Sequence, residues 1–248
     1  MIGIVGGLGP YSGLDITKKI IDETAARSDQ EHLPLLLFSC PHLIPDRKAY
    51  LLDASNENPG KAIASVLQKL EMAGATIAAI PSNIVHAEPI FSVVKEEIAR
   101  TGSTLQLLHI VHETVRFVDE NYPDNMVGVI STAGEQLYSL YREAFIEKGF
   151  DVVTPEGTEQ EKVNNAIYDA EYGIKAQPVP IANKAREDLL SAMDDLKKKG
   201  AQVIILGCAE LPLAIPERDY NGMIVIDPNR ILARALIHAV APDKSKPL

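Results

Sequence analysis

The feature of this sequence that most constrains its fold is an internal repeat. The segment MIGIVGGLG, residues 1–9, matches MVGVISTAG, residues 126–134, at an offset of 125 residues. A second pair, GATIAAIPS at 74–82 and GAQVIILGC at 200–208, follows at an offset of 126 residues. Because both pairs occur in the same order and at nearly the same spacing, the sequence predicts two similar halves of about 120 residues each.

Aliphatic runs alternate with helical patterns along both halves. Runs that are apolar on both faces and separated by helices are typical of parallel βαβ units. The predicted strands lie at 3–6, 33–39, 76–81, 105–110, 126–131, 150–155, 202–207 and 223–228, and the predicted helices include 15–26, 60–73, 136–148 and 183–199.

We therefore predict an α/β fold of two pseudo-symmetric halves, each a mainly parallel sheet flanked by helices. The first half is predicted to comprise residues 1–115 and 223–248, and the second residues 116–222. Ligands of such sheets bind outside the carboxyl ends of the strands. We expect the active site to lie in the cleft between the two halves.

Charge and composition narrow the class of partner. With 24 basic and 34 acidic side chains the net charge is −10, which argues against nucleic acid and anionic membranes as partners. No apolar run approaches 18 residues, and MIGIVGGLGP lacks the basic flank of a signal peptide. Two cysteines give no disulfide framework, so we expect a cytoplasmic protein with reduced thiols.

The repeat makes Ser82 and Cys208 equivalent. A lone cysteine after an apolar strand is most often a packing residue. The equivalence, together with Glu210 two residues later, favours a functional thiol instead. A thiol titrates near pH 8.5 and can both abstract a proton and attack as a nucleophile. We expect it to ionise readily in a pocket rich in backbone amides.

Three further patterns bear on the ligand. The glycines of GGLGP do not have the G-x-G-x-x-G spacing of a nucleotide site, but backbone amides at Gly7–Gly9 would suit a carboxylate. Arg47, in IPDR, is either part of a solvated turn or a salt-bridge partner for a substrate carboxylate. The six histidines form no metal-binding pattern, and His86 is the one that we place near the site.

Together these segments resemble the aspartate/glutamate racemase family, and specifically its aspartate racemase branch. The resemblance extends over nearly the whole chain. It rests on GIVGGLGP, IPDRKAYLL, GATIAAIPSNIVHA, GAQVIILGCAELPLAI and VIDP, in that order. It implies a cofactor-independent racemase, without a metal, in which two cysteines flank the α-carbon of an acidic amino acid. One removes the α-proton as a thiolate, and the other delivers a proton to the opposite face. The resemblance also implies a homodimer.

The same resemblance implies roles for individual residues. Cys208 would be one acid/base group, and Ser82 stands where the family has the other cysteine. Asn83 and the loop 7–9 would hold the α-carboxylate, Arg47 the side-chain carboxylate, and Thr132 would line the floor. The full set implied for substrate binding is Gly7, Leu8, Gly9, Arg47, Asn83, Ile84, Thr132, Lys162, Ala209 and Glu210, with His86 in support.

The sequence departs from the family pattern at several of these positions. Ile84 and Ala209 replace threonines, and Lys162 is shifted by one place relative to a basic residue of some relatives. Ser82 could be a natural variant, an introduced trapping mutation, or the mark of a descendant that lost racemisation. The accompanying changes at 84 and 209 favour a natural variant.

Three functions remain open at this stage. The first is racemisation or epimerisation of aspartate, glutamate or a related acidic compound. The second is another one-thiol reaction of the same superfamily, decarboxylation or cis–trans isomerisation, for which Ile84 and Ala209 would supply an apolar pocket. The third is non-catalytic binding of an acidic metabolite.

Overall fold

The structure is a computed structural model that describes residues 1–132 and 135–247, with the backbone alone described for residues 135–139. It divides into two compact units. The first comprises Met1–Glu113 and Asn229–Leu248, and the second Thr114–Pro228.

The first unit contains a four-stranded parallel sheet with the order β2-β1-β3-β4. Its strands are β1 (Ile2–Gly6), β2 (Leu35–Ser39), β3 (Ile77–Ala79) and β4 (Gln106–Leu108). Its helices are α1 (Pro10–Glu23), α2 (Arg47–Leu52), α3 (Gly60–Met72) and α4 (Glu88–Arg100). Helix α5 (Ile110–Asn121) leads the chain into the second unit.

The second unit contains a five-stranded sheet with the order β6-β5-β7-β9-β8, in which β8 is antiparallel. Its strands are β5 (Val127–Ile130), β6 (Val152–Val153), β7 (Val203–Leu206), β8 (Asp219–Tyr220) and β9 (Met223–Ile226). The helices that follow α5 are α6 (Glu135–Glu147), α7 (Gly157–Tyr168), α8 (Asn183–Lys198), α9 (Leu211–Ala214) and α10 (Pro228–Val240). None of the described helices is both long and apolar enough to cross a bilayer.

The two sheets repeat each other in order and in register. Strand β1 pairs with β3 so that Ile2 lies opposite Ile77, and β5 pairs with β7 so that Val127 lies opposite Val203. These pairs are related by the offsets of the sequence repeat. The predicted α/β architecture of two similar halves is therefore confirmed, and all eight predicted strands are present.

The repeat extends to the packing between strand and helix. A methyl group added at Gly3 would lie 3.0 Å from Ala75 Cβ and 3.3 Å from Leu70. One added at Gly128 would lie 3.1 Å from the equivalent atoms of Ala201 and Leu196, and still closer to Ile204 Cδ1. A glycine at this position lets α3 approach β1 in the first sheet and α8 approach β5 in the second, both of which are interior strands.

Each of those helices also ends in the same way. Gly74 and Gly200 adopt left-handed backbone angles, with φ of +100° and +99°. The next amide donates back to the last turn of the helix, from Ala75 N to Leu70 O at 2.9 Å in one unit and from Ala201 N to Leu196 O at 3.0 Å in the other. This termination, which glycine adopts at little steric cost, directs the chain straight into the following strand.

The boundary near the C-terminus differs from the prediction. Residues 223–226 were assigned to the first half, but they form β9, which pairs with β7 of the second sheet. The turn that precedes β9 contains Asn221 and Gly222, both with positive φ, and it joins β9 to β8 in a hairpin that the sequence analysis missed. The chain returns to the first unit only in α10, where Arg230 and Arg234 pair with Glu23 of α1.

Gly3→Ala is expected to lower the free energy of unfolding by about 1–3 kcal/mol, because the new methyl would sit inside normal carbon–carbon contact distance of Ala75. Denaturant unfolding followed by circular dichroism measures this loss. The double variant Gly3→Ala/Ala75→Gly removes the nearest clashing atom and should recover part of it. A single variant as stable as the unmodified chain would contradict close strand–helix packing at this position.

Candidate active site

Ser82 and Cys208 occupy the same local position in the two repeats. Each follows the third strand of its unit, and its carbonyl oxygen closes the same turn. Val85 N donates to Ser82 O at 3.3 Å, and Leu211 N donates to Cys208 O at 3.1 Å. Ser82 is buried and Cys208 is partly exposed. The equivalence seen in the sequence thus extends to the backbone hydrogen bonds.

A buried network fixes the backbone just before Ser82. Ser12 Oγ, on α1, donates to the carbonyl of Pro81 at 2.6 Å. Asn229 Nδ2, on α10, donates to Ser12 Oγ at 3.2 Å and to Asp15 Oδ2 at 3.0 Å. Because each hydrogen bond of this buried network ties the strand end to a helix, α1 and α10 of the first unit hold the end of β3 in place.

The glycine loop lies at the neighbouring strand end. Gly6 pairs with Ser39, so the loop after β1 runs beside the chain that leaves β2. A methyl group at Gly7 would lie 2.7 Å from Pro41 N and 3.0 Å from the backbone of Cys40. Gly7 and Gly9 have φ of +86° and +105°, and Leu8 between them is buried. Only glycine fits at position 7. The close packing that it allows brings the backbone amides of this loop near the strand ends.

Arg47 begins helix α2, which packs against the Asn83–His86 turn. Asp46 caps this helix by accepting a hydrogen bond from Ala49 N at 2.8 Å. The Nε of Arg47 is buried and has no hydrogen-bond partner among the described residues. A buried guanidinium nitrogen without an acceptor is costly, and an anion bound there would relieve the cost. The structure thus brings the helix that begins at Arg47 against the turn that carries Asn83.

His86 belongs to an aromatic cluster in the first unit. Its Nδ1 lies 3.0 Å from the carbonyl of Ser82, to which it donates, and its buried Nε2 has no partner among the described residues. Its ring lies 5.0 Å from Phe91 and 4.4 Å from His109, which stacks on His112 at 3.8 Å. Burial lowers the pKa of His86 to about 4 and also strongly lowers that of His109, so both rings are neutral.

The Cys208 loop carries an acid and a base that contact each other. Cys208 Sγ donates to Glu210 Oε2 at 3.1 Å, and the Nζ of Lys175 pairs with Glu210 Oε1. Burial and then the Glu210 carboxylate raise the pKa of the thiol, while the charge of Lys175 opposes them. The resting sulfur is therefore protonated, which corrects the expectation of a readily ionised thiol.

Thr132 lies at the strand end next to Cys208. Ile130 pairs with Leu206, and Gly207 N donates to Ile130 O at 2.7 Å, so the two chains leave the sheet side by side. A methyl group at Gly207 would lie 3.0 Å from that carbonyl. Thr132 is buried. Residues 133 and 134, which follow it in the STAGE segment, lie outside the described residues.

The remaining residues differ in how close they come to these loops. Ile84 and Ala209 directly follow Asn83 and Cys208, and both are partly exposed. Lys162, on α7, is engaged elsewhere: its Nζ donates to Glu159 Oε1 at 2.7 Å and to Ser191 Oγ at 2.9 Å. The cation beside Cys208 is instead Lys175, which no sequence motif indicated. In the described part of the chain, no three or more His, Cys, Asp or Glu side chains are grouped so that they could hold a metal ion.

Comparisons with known proteins identify the family of the chain. The sequence model of the Asp/Glu/hydantoin racemase family matches residues 5–236. The broad-specificity amino-acid racemase RacX of Bacillus subtilis (strain 168) is 26% identical over 242 residues, which is 96% of each chain. The chain belongs to the Asp/Glu/hydantoin racemase family.

Solved structures show the same fold. The aspartate racemase of Picrophilus torridus superposes with a TM-score of 0.78 at 25% identity, over 96% of this chain and 93% of that one. An aspartate racemase homologue from Pyrococcus horikoshii OT3 gives a TM-score of 0.71 at 23% identity, over 97% and 98% of the two chains. The second of these likenesses concerns the fold alone.

The neutral histidines predict an acid-sensitive fold. Below about pH 6.5 the unfolded chain takes up protons on His86 and His109, whereas folded His86 does so only near pH 4. The free energy of unfolding should therefore fall as the pH is lowered from 6.5 towards 4, with a slope of up to about 1.4 kcal/mol per pH unit for each histidine. Denaturant midpoints measured at several pH values test this slope.

Two variants serve as controls for that slope. His86→Leu should flatten it, whereas His238→Gln, at an exposed residue of α10, should leave it unchanged. Equal slopes for His86→Leu and the unmodified chain would contradict a neutral, buried His86.

Proposed function

We propose that the protein is a cofactor-independent racemase or epimerase that acts on aspartate, glutamate or a related acidic compound. Each unit supplies one proton-transfer group, Cys208 from the second and Ser82 from the first. The observation that carries this proposal is the Cys208–Glu210 hydrogen bond at a strand end whose repeat equivalent is Ser82. Family membership supports the reaction class.

The thiol and the carboxylate together can move one proton. In the resting state the proton is on Cys208 Sγ and points at Glu210 Oε2. Transfer along this bond forms a carboxylic acid and a thiolate, and the thiolate then accepts the α-proton of the substrate. The reverse steps return a proton to the carbanion. General acid–base catalysis of this kind contributes about 10²–10⁴-fold.

Ser82 has no comparable partner. Its hydroxyl makes no hydrogen bond to any described residue, and the His86 ring contacts the Ser82 carbonyl rather than its Oγ. A hydroxyl is a much weaker acid than a thiol, so Ser82 can donate a proton to a carbanion more easily than it can abstract one. The two directions of racemisation should therefore be unequal.

Two groups in the first unit suit the carboxylates of an acidic substrate. Backbone amides in the Gly7–Gly9 loop, which leads into α1, offer donors with the favourable field of a helix N-terminus. Arg47 offers a buried Nε that has no acceptor among the described residues. Together they support an acidic amino acid as the substrate, with Arg47 binding its side-chain carboxylate.

The second candidate function is a one-thiol reaction, decarboxylation or cis–trans isomerisation through thiol addition. Its support is a difference between the two side chains. The Cys208 thiol donates a hydrogen bond to Glu210, whereas the Ser82 hydroxyl has no hydrogen-bond partner among the described residues. Ile84 and Ala209 would add apolar surface near the two positions. Assays with D- and L-aspartate and glutamate separate this candidate from racemisation.

Cys208→Ala is expected to abolish turnover, because no other described group contacts Glu210 Oε2 as a proton donor. The melting temperature should stay within a few degrees, since Cys208 is only partly buried at the edge of the core. Cys40→Ala is the matched control and should keep its activity. Loss of folding in Cys208→Ala alone would show that the thiol is a packing residue.

Exchange in deuterated buffer should be one-sided. The enantiomer whose α-proton points at Cys208 should exchange measurably, and its mirror image, whose proton points at Ser82, far more slowly. Ser82→Cys should accelerate the slow enantiomer by at least about 10²-fold, as expected of a positioned general base. Proton NMR of the α-hydrogen follows both enantiomers. Equal and rapid exchange by the unmodified chain would exclude Ser82 as the second group.

A further inference from the structure

Glu210 is placed between a cation and the thiol. It is buried, with 7% of its surface exposed, and its two oxygens have separate partners: Oε1 pairs with Lys175 Nζ and Oε2 accepts from Cys208 Sγ. An ionised carboxylate in such a place needs a partner of opposite charge. Lys175, whose side chain is 35% exposed, supplies that charge.

The backbone around Lys175 is held against α7. Ile174 N donates to Ala166 O at 2.8 Å, and Lys175 N donates to Ile167 O at 3.1 Å. Gly173 permits this return of the chain, because a methyl group there would lie 2.5 Å from Asp169 O. These hydrogen bonds therefore fix the backbone from which the Lys175 side chain extends.

The Lys175 side chain is also guided towards the carboxylate. Its Nζ lies 5.7 Å from the centre of the Tyr168 ring, a cation–π distance that favours this direction. In a surface ion pair such as Lys18–Asp22 both side chains are well exposed, whereas the carboxylate that pairs with Lys175 is buried. A desolvated pair is screened less by salt and by water than an exposed one.

We propose that Lys175 is a positioning residue for Cys208: it holds the Glu210 carboxylate in place and offsets its charge, so that the thiol exchanges its proton with Glu210. The catalytic meaning of this role rests on the proposed function. Lys175 does not touch the reacting atoms; it acts by holding Glu210 and by its charge. The sulfur–hydrogen bond breaks as the hydrogen–oxygen bond forms, and the ammonium group keeps its own protons throughout.

The charges that face the thiol fix the direction of each expected effect. Lys175 opposes the rise in the pKa of Cys208 that Glu210 contributes. The charge of the thiolate also acts on Tyr141, whose pKa is raised further by Asp227. Burial raises the pKa of Tyr141 well above its usual range, so Tyr141 stays neutral between pH 7 and pH 10.

The test measures the thiol directly and needs no substrate. In a Cys40→Ala background Cys208 is the sole thiol, and its rate of alkylation by iodoacetamide between pH 7 and pH 10 reports thiolate formation. Lys175→Met should shift the profile to higher pH, which slows alkylation at pH 8 by about tenfold for a shift of one unit. Glu210→Gln should shift it to lower pH, and Lys175→Arg should stay close to the unmodified profile.

Three outcomes would overturn the proposal. The first is an unchanged alkylation profile in Lys175→Met with a lowered melting temperature, which would make Lys175 a structural residue. The second is an unchanged profile with a raised KM, which would make it a substrate ligand. The third is a profile in Lys175→Arg displaced as far as in Lys175→Met. Absence of racemisation with normal shifts in alkylation would instead count against the proposed function alone.

Discussion

The close approach of one helix to an interior strand of each sheet is the contact on which the rest of this structure depends. Gly3 and Gly128 leave room for it, and the left-handed glycines at 74 and 200 turn the chain from that helix into the next strand. The glycine turn sets where β3 and β7 begin, and their pairing with β1 and β5 sets their register. The position of the residue that follows each of these strands is therefore fixed. Ser82 and Cys208 are therefore equivalent in backbone position as well as in sequence.

The electrostatic environments of these two residues differ, and the difference decides their chemistry. Cys208 has an acceptor for its proton in Glu210, and that acceptor is balanced by a cation. The neighbour of Ser82 is a neutral His86 that bonds the main chain. A histidine with a lowered pKa and its ring directed at a carbonyl orders the loop but takes no proton from the hydroxyl. The shared backbone thus supports one side chain that donates to a carboxylate and one that has no such acceptor among the described residues.

The strands and the strand-end residues could be predicted from the sequence because both depend on local patterns and on a visible repeat. The extent of the second sheet could not, since β9 is an apolar strand that would fit either half and only its pairing with β7 decides. Lys175 was missed for a similar reason. It is 35 residues from Glu210, and its role depends on how the segment after α7 folds back. The contact between His86 and His109 is likewise a product of tertiary packing.

The shared position of Ser82 and Cys208 also bears on how such a protein changes over generations. The contacts that determine folding lie in the strands, the helices and their glycines, one or more residues before the reactive side chain. A substitution at the strand end alters reactivity and leaves those contacts intact. In a chain built from two copies of one unit, natural selection for folding and natural selection for chemistry then act on different sites. A change of side chain at one strand end therefore leaves the fold of its unit, and the strand end of the other unit, unaltered.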